Sequence, residues 1–279
     1  MFNNIYIFGL GMMGGSIALS IKQNKLAKNI IGYDTNSSSL KYSVRNNFID
    51  EADNSNFQKI KEADLIIICA PLSEYVDILN IIKKYSSTKC LITDIGSTKV
   101  KVTDDAKKIF KNSHKVFIGS HPLAGKEKSG IRQSKKNLLE NARVIVTFEK
   151  ITSKTKLIKK FWNNLGCETS SMTPKTHDLI VSKTSHVPHL LSYTLVSTIL
   201  KEKNIKNLND FTGGGFRDFA RIASSNPLMW KDISATNMKN ILKSLDVLSN
   251  EFKLVRSMIN KKNFKSLHRY FKNIKDKLS

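Results

Sequence analysis

A glycine-rich turn near the start of the chain constrains the fold more than any other feature of the sequence. It has the pattern Gly-x-Gly-x-x-Gly, follows an apolar strand at residues 5–8 and opens an apolar-periodic helix from about residue 15. The next predicted strand, residues 30–34, ends on Asp34, 20 residues beyond the last glycine. A strand, a glycine turn, a helix and a second strand ending on an acid are typical of a dinucleotide-binding unit.

Each part of this unit has a physical task in binding a cofactor. The glycines permit a tight turn and a close approach of the backbone to a pyrophosphate, and the helix N-terminus offers free N–H groups to it. Asp34 is expected to accept hydrogen bonds from ribose hydroxyls and to repel a 2′-phosphate, which favours NAD over NADP. The residues expected to bind NAD here are Gly9, Leu10, Gly11, Met12, Met13, Gly14 and Asp34. The alternative is a plain turn without a ligand.

Strands and helices alternate through the rest of the first half. Further strands are predicted at residues 64–69, 91–94, 116–119, 144–148 and 168–172, and helices at residues 37–46, 72–85 and 152–165. This alternation predicts a parallel sheet with helices on both faces. Ala70 and Pro71 end the third strand, and they form either a wall beside the cofactor or an ordinary strand-to-helix turn.

The second half has helical patterns. Thr173 and Pro174 are typical of a helix start, and we expect a long helix over residues 174–200 that Pro188 kinks. The sequence thus predicts an α/β Rossmann-like domain at residues 1–172 and an all-α domain at residues 173–279. Apolar residues at helical spacing predict a core or dimer-interface stripe, formed by Ile241, Leu245, Leu248, Phe252 and Val255.

The composition of the chain argues against several classes of protein. The formal net charge is +23, but the basic residues are divided equally between residues 1–150 and 151–279 and only seven of 46 are Arg. A solvated Lys-rich surface explains this better than a nucleic-acid-binding module, which would read bases with Arg. Three widely spaced cysteines indicate neither a disulfide framework nor a zinc cluster. The chain has no apolar run long enough for a membrane span and no secretory signal pattern, so we expect a cytoplasmic protein.

Three groups of residues are candidates for chemistry. His121 follows a strand and is either a proton acceptor or a turn histidine bonded to backbone. His186 and His189 favour packing or substrate contact over a metal site, because no third ligand is spaced nearby. Arg217 and Arg221 surround Asp218, and they form either a carboxylate-binding fork or a surface salt-bridge cluster.

With these residues in view, the sequence resembles the prephenate/arogenate dehydrogenase family. The segments that carry the resemblance are GLGMMGGS at 9–16, DIGSTK at 94–99, SHPLAGKEKSG at 120–130, SHVPH at 185–189 and GGGFRDFARIASSNPLMW at 213–230. They occur in the family's order and span most of the chain. The resemblance implies a Rossmann domain, a helical domain that forms a homodimer, and NAD-dependent oxidative decarboxylation of prephenate to 4-hydroxyphenylpyruvate.

The resemblance also implies roles for individual positions. His121 matches the catalytic histidine that bonds the ring hydroxyl, and Ser97 matches the serine beside it. Arg221 matches the arginine that binds a prephenate carboxylate. The other positions implied at the substrate site are His186, His189, Gly214, Arg217, Asp218 and Glu127, the last helping to gate the pocket. No metal is expected, because aromatisation of the ring drives the reaction.

Three alternatives stay open at this point. An arogenate or dual-specificity cyclohexadienyl dehydrogenase would differ in how the keto or amino group of the side chain is recognised. A β-hydroxyacid dehydrogenase would share the Rossmann domain, but the SHPLAG and GGGFRDFAR segments argue against it. A basic nucleic-acid-binding module would show salt-dependent affinity and no turnover.

Overall fold

The fold consists of one large sheet flanked by helices, followed by a helical region. The computed structural model describes residues 2–125, 129–202 and 213–278. The strands in the described residues are β1 (Phe2–Phe8), β2 (Ala27–Tyr33), β3 (Glu51–Ala52), β4 (Leu65–Ile68), β5 (Leu91–Asp94), β6 (Val116–Pro122), β7 (Arg143–Thr147) and β8 (Glu168–Met172). The sheet order is β3-β2-β1-β4-β5-β6-β7-β8. The order reverses between β1 and β4, and at such a point a doubly wound sheet opens a crevice for a ligand.

Helices cover both faces of this sheet. Those of the first half are α1 (Met12–Gln23), α2 (Ser37–Arg45), α3 (Tyr75–Tyr85), α4 (Val100–Phe110) and α5 (Ser153–Asn164). Successive residues of a strand point to opposite faces, so Ile5 and Ile7 of β1 join one buried cluster with α1 and α5, whereas Tyr6 and Phe8 join another with α3 and α4. Burial on both sides explains why the central strand β4 is a continuous apolar run.

The expectation of a parallel sheet was wrong for the last two strands, β7 and β8, which run opposite to the other six. β6 pairs with β7 in antiparallel fashion, with His121 opposite Ile145, while the pairs from β3 to β6 and the pair β7–β8 are parallel. A parallel neighbour needs a crossover connection, usually a helix. The described part of the β6–β7 connection contains only a 3-10 turn, Ile131–Gln133, so the chain returns in the opposite direction.

The helical region contains α6 (Pro174–Val181), α7 (Val187–Leu200), α8 (Gly214–Ala223), α9 (Pro227–Thr236), α10 (Met238–Asn260) and α11 (Phe264–Leu278). Polar caps fix several starts: the Thr173 side chain accepts from the Thr176 N–H at α6, and Asn226 accepts from Leu228 and Met229 at α9. No helix among the described residues is long and apolar enough to cross a membrane.

The expected helix over residues 174–200 is helical throughout, but its hydrogen-bond pattern changes just before Pro188; the kink itself stays a prediction. A π-helical turn, Ser182–His186, separates α6 from α7. Pro188 lies in the first turn of α7, directly after the π-helical turn, and it has no N–H to donate to that turn. The irregularity therefore lies just before the proline, and π-helical turns of this kind are frequent at functional sites.

The helical region packs on the carboxyl edge of the sheet. A small core of Trp230, Ile233 and Ile241 contacts Leu72, which directly follows the β4 edge. Asp232 accepts a hydrogen bond from the Ser73 N–H at 3.1 Å. Of the predicted stripe on α10, Ile241 is buried and Phe252 is 55% exposed, so most of this stripe is not core within one chain.

Candidate active site

The glycine turn at the β1–α1 junction has the geometry expected for a pyrophosphate. Gly9 has a φ of +88°, and a Cβ on Gly14 would lie 1.9 Å from the Gly9 oxygen. A Cβ on Gly11, by contrast, would meet nothing within 4 Å. Gly11 is also the N-cap of α1 and supplies no side chain to the free N–H groups. Open space above uncapped N–H groups fits the phosphates of a dinucleotide.

The other predicted cofactor residues lie around this turn. The Asp34 carboxylate, directly after β2, accepts from the Leu10 N–H at 2.6 Å and from the Asn36 N–H at 2.7 Å. Ala70 lies against Gly9, since a Cβ on Gly9 would come within 2.9 Å of the Ala70 nitrogen. Pro71 follows it at the surface, and Met12 and Met13 form the first turn of α1. The structure therefore brings the predicted cofactor residues to one edge of the sheet.

His121 lies near the end of β6 and is 8% exposed. Its Nδ1 is 2.8 Å from Nε2 of His177 on α6. Nδ1 of His177 is in turn 2.7 Å from the Asp178 carboxylate. His121 is therefore held by a side-chain network, which excludes the alternative of a histidine that bonds only to the turn backbone.

A buried ion pair holds the backbone beside His121. Lys99 and Asp94 form a salt bridge with both side chains fully buried. Asp94 accepts from the Ser120 N–H at 2.9 Å, and Lys99 donates to the Ser120 carbonyl at 2.8 Å. The ion pair thus binds both the backbone N–H and the backbone carbonyl of Ser120, the residue before His121. A buried pair of this kind costs desolvation, so its position next to the site suggests a positioning role.

The electrostatics of the site keep its histidines neutral. Burial, then the charges of His177, Lys99 and His186, hold the pKa of His121 well below the usual 6.5. Burial lowers the pKa of His186 to about 4, and it also lowers that of His177, against the opposing effect of Asp178. A neutral imidazole in this place can accept a proton at neutral pH.

His186 and Ser97 join the same cluster, whereas His189 faces Trp230. Nδ1 of His186 is 3.2 Å from the Asn237 amide nitrogen. The backbone of Ser97 raises the pKa of His186, against the larger lowering by burial. The His189 ring stacks on Trp230 with centroids 4.0 Å apart. Nε2 of His186 and Nε1 of Trp230 are buried without a hydrogen-bond partner among the described residues, and such groups are expected to meet a ligand or water.

The predicted substrate residues of α8 lie apart from this cluster. Gly214 begins the helix, and Asp218 and Arg221 form an exposed ion pair at 3.9 Å. Arg217 lies one turn from Arg221 on the same helix. Glu127, the predicted gating residue, lies outside the described residues.

Sequence reasoning missed four residues of the site: Asp94, Lys99, His177 and Asp178. Asp94 and Lys99 were within the DIGSTK segment, where two opposite charges at the end of an apolar strand were an available signal. His177 and Asp178 are adjacent on a predicted helix, 56 positions after His121. Nothing in the sequence pairs residues that far apart, so only the fold brings them to His121.

Comparison with known proteins matches both predicted domains of the chain to one protein family. The family profile described as "Prephenate dehydrogenase, nucleotide-binding domain" matches residues 17–170, and "Prephenate dehydrogenase, dimerization domain" matches residues 173–273. The chain is 36% identical over 278 residues to a prephenate dehydrogenase of Bacillus subtilis, covering 98% of this chain and 75% of that protein.

Solved structures are similar as well. The prephenate dehydrogenase of A. aeolicus, in complex with hydroxyphenyl propionate and NAD+, superposes with a TM-score of 0.92 at 34% identity, covering 99% of this chain and 97% of that one. The arogenate dehydrogenase of Synechocystis gives a TM-score of 0.81 at 26% identity, covering 97% and 96% of the two chains. From its two matching profiles and its near full-length relatives, the chain belongs to the prephenate dehydrogenase family.

Proposed function

We propose that this protein catalyses the NAD-dependent oxidative decarboxylation of prephenate to 4-hydroxyphenylpyruvate, a step of tyrosine formation. The observation that carries the proposal is His121, a buried neutral imidazole at the carboxyl edge of a dinucleotide-binding sheet. A hydroxyl oxidation needs such a proton acceptor close to the nicotinamide. The family membership supplies the substrate class.

NAD, when bound, accepts the hydride from the ring carbon that bears the hydroxyl. Gly9 to Gly14 are the proposed pyrophosphate seat, with Asp34 at the ribose hydroxyls and Ala70 and Pro71 as the wall of the crevice. The uncapped start of α1 and the open space above Gly11 support this assignment. The carboxylate of Asp34 would repel a 2′-phosphate, which supports NAD over NADP.

His121 is the proposed base. It takes the hydroxyl proton as the hydride leaves, so the O–H and C–H bonds break while the carbonyl forms. Loss of the ring carboxylate as CO₂ then returns its electron pair to the ring, and the oxygen regains a proton as a phenol. Ser97 is proposed to assist at the hydroxyl.

Prephenate carries two carboxylates, so its site requires cationic or N–H donors. We propose that Arg221 binds a carboxylate, with Arg217 and Asp218 beside it, Gly214 at the start of α8 and Glu127 at the entrance. His186 and His189 are proposed to line the substrate side of the crevice. The unpartnered Nε2 of His186 supports its assignment, because a buried polar atom costs free energy until a partner binds it.

The proposed assembly is a homodimer through the helical region at residues 173–279, with the cofactor domain at residues 1–172. α11 supports this, because none of its described residues is buried, although it carries an apolar stripe formed by Phe264, Leu267, Phe271, Ile274 and Leu278. We propose no nucleic-acid partner for the +23 surface, which instead attracts a dianionic substrate. A cytoplasmic location is proposed, since NAD and prephenate are both water-soluble metabolites.

One assay tests the function. Purified protein is mixed with NAD and either prephenate or arogenate, and NADH is followed by its absorbance. We expect NADH with prephenate. Turnover with arogenate alone would instead indicate an arogenate dehydrogenase, like the Synechocystis relative. The absence of NADH with both substrates would contradict the proposal.

A further inference from the structure

Three buried side chains form a continuous line of hydrogen bonds that ends at His121. His121 Nδ1 lies 2.8 Å from His177 Nε2, and His177 Nδ1 lies 2.7 Å from Asp178 Oδ1. His177 is 0% and Asp178 1% exposed. None of the residues predicted from the sequence explains why two further polar side chains are buried behind His121.

The Asp178 carboxylate is fixed from two sides. It accepts from the Lys99 N–H at 2.8 Å and from the Val100 N–H at 2.9 Å, at the start of α4. Its own carbonyl accepts from the Asn237 side chain at 2.8 Å. The acid thus joins the first turn of α4 to α6 and the α9–α10 junction, and its oxygens have one orientation.

Chemistry then sets the direction of each hydrogen bond. A carboxylate only accepts, so His177 must donate from Nδ1. A neutral His177 then has an unprotonated Nε2, which accepts from Nδ1–H of His121. The remaining nitrogen of His121, Nε2, is left without a proton. That nitrogen is therefore the one able to act as a base.

We propose that His177 and Asp178 are positioning residues that hold His121 in its Nδ1–H tautomer, with Nε2 free to take the substrate's proton; the kinetic part of this inference rests on the proposed function. In the reaction the substrate O–H bond breaks and an Nε2–H bond forms on His121. The positive charge that results is stabilised by Asp178 through His177. No proton reaches Asp178, which remains a carboxylate.

The need for this support follows from the other charged groups at the site. His121 faces His177 on α6, Lys99 after β5 and His186 in the π-helical turn, and all three disfavour its protonation. Asp178 supplies negative charge on the opposite side of His177. Without it, the imidazolium form of His121 would have only Asp94, already paired with Lys99, as a negative neighbour, and the base would be weaker.

The first test reads the tautomer without substrate, so it is independent of turnover. Histidine labelled with ¹⁵N is incorporated, and ring ¹⁵N shifts are recorded at neutral pH, with His121 assigned through His121→Asn. We expect His121 as the Nδ1–H tautomer. The Nε2–H tautomer in the native protein would overturn the proposal whatever the enzyme's substrate is.

The second test uses Asp178→Asn. With its oxygen in the Oδ2 position, the amide still accepts from the Val100 N–H but no longer from the Lys99 N–H. Its NH₂ group in the Oδ1 position donates to His177, which reverses both hydrogen bonds and places a proton on His121 Nε2. We expect kcat to fall at least about 100-fold, by analogy with the reversed tautomer in a Ser-His-Asp triad, with the KM for prephenate and the Kd for NAD within about threefold of native. The acid limb of the kcat profile should move to lower pH, because the carboxylate no longer favours the protonated form.

His177 provides a rescue experiment and Ser244 a matched control. His177→Phe removes the connection, whereas His177→Gln keeps one acceptor and one donor and should retain at least about tenfold more activity. Ser244→Ala removes only the buried 3.1 Å hydrogen bond to Ser182 in the adjacent π-helical turn, so its kcat and His121 tautomer should stay native.

Two results would refute the positioning role. One is a native kcat and an unshifted acid limb in folded Asp178→Asn. The other is equal activity of His177→Phe and His177→Gln. If Asp178→Asn does not fold, the His177 pair and the native tautomer decide the question.

Discussion

At the scale of single residues, burial and then the neighbouring charges lower the pKa of His121. Lys99 is fully buried, and its ion pair with Asp94 leaves it 2.8 Å from the Ser120 carbonyl, next to His121. Burial lowers the pKa of Lys99 itself, while Asp94 acts in the opposite direction. The site therefore combines a fixed positive group with a base that must stay neutral until the reaction.

A pH profile tests this arrangement. Because burial and its cationic neighbours lower the pKa of His121 below the usual 6.5, the neutral base persists into acid solution. Activity is lost only as the pH falls through that lowered pKa. We expect the acid limb of kcat/KM for prephenate below pH 6.5, measured by NADH formation.

The control for this profile is His121→Asn. Removing a general base costs about 10²- to 10⁴-fold in rate, and the residual activity should lack the acid limb. NAD binding, followed by fluorescence, should be unchanged. An acid limb at the same pH in this variant would show that another group titrates.

At the scale of elements, two glycines of the β1–α1 turn have different roles. Gly14 is needed for the stability of the fold, and Gly11 leaves space for the cofactor. Gly14 is required by the fold, because any Cβ there would overlap the Gly9 carbonyl. Gly11 is not required, since its φ of −75° suits any residue and the space above it is open. A helix N-cap without a side chain leaves its N–H groups to the ligand.

Gly11→Ser should therefore raise the stability of the free protein and lower its affinity for NAD. A serine N-cap satisfies N–H groups of α1 and stabilises the free protein by a few tenths of a kcal/mol or more. It also occupies the phosphate position, so the Kd for NAD should rise at least about tenfold, which corresponds to about 1.4 kcal/mol. Thermal denaturation and NAD titration measure both.

Gly14→Ala is the comparison. Overpacking at this contact should cost about 1–3 kcal/mol of stability and lower the melting temperature of the free protein. If Gly11→Ser kept native NAD affinity, the assignment of the turn as the pyrophosphate seat would be wrong.

At the scale of the whole molecule, α11 exposes an apolar stripe. Phe264, Leu267, Phe271, Ile274 and Leu278 recur at alternating spacings of three and four, and Phe264 and Phe271 are 60% and 53% exposed. This repeat is that of a helix seam. A monomer would leave the stripe in water, which supports the proposed homodimer.

Phe271→Lys should dissociate this dimer. A two-fold interface loses two Phe side chains, about 3 kcal/mol in total, so the dimer Kd should rise about 100-fold. Sedimentation equilibrium should then report the mass of one chain instead of two. Lys265→Ala, on the opposite side of α11, should stay dimeric, and a dimeric Phe271→Lys would exclude this stripe as the interface.

Much of the first domain was predictable, because local patterns encode it. Alternating burial, the glycine turn and Asp34 predicted strands, helices and the cofactor edge, since each depends on residues close in sequence. The direction of β7, and with it that of its parallel neighbour β8, was the exception. The sequence carried a signal for it, the lack of a helical pattern between residues 122 and 143, because a parallel neighbour would require a crossover.

The sequence by itself determined the Rossmann-like domain and the family, and it predicted the residues of an NAD site and His121 as a candidate base. Only the tertiary structure decided what surrounds His121. His177 and Asp178 come from another element, Asp94 and Lys99 fix its backbone, and a π-helical turn brings His186 to the same cluster. The reason is physical: a protonation state depends on burial and on charges within a few ångströms, and sequence separation does not report those distances.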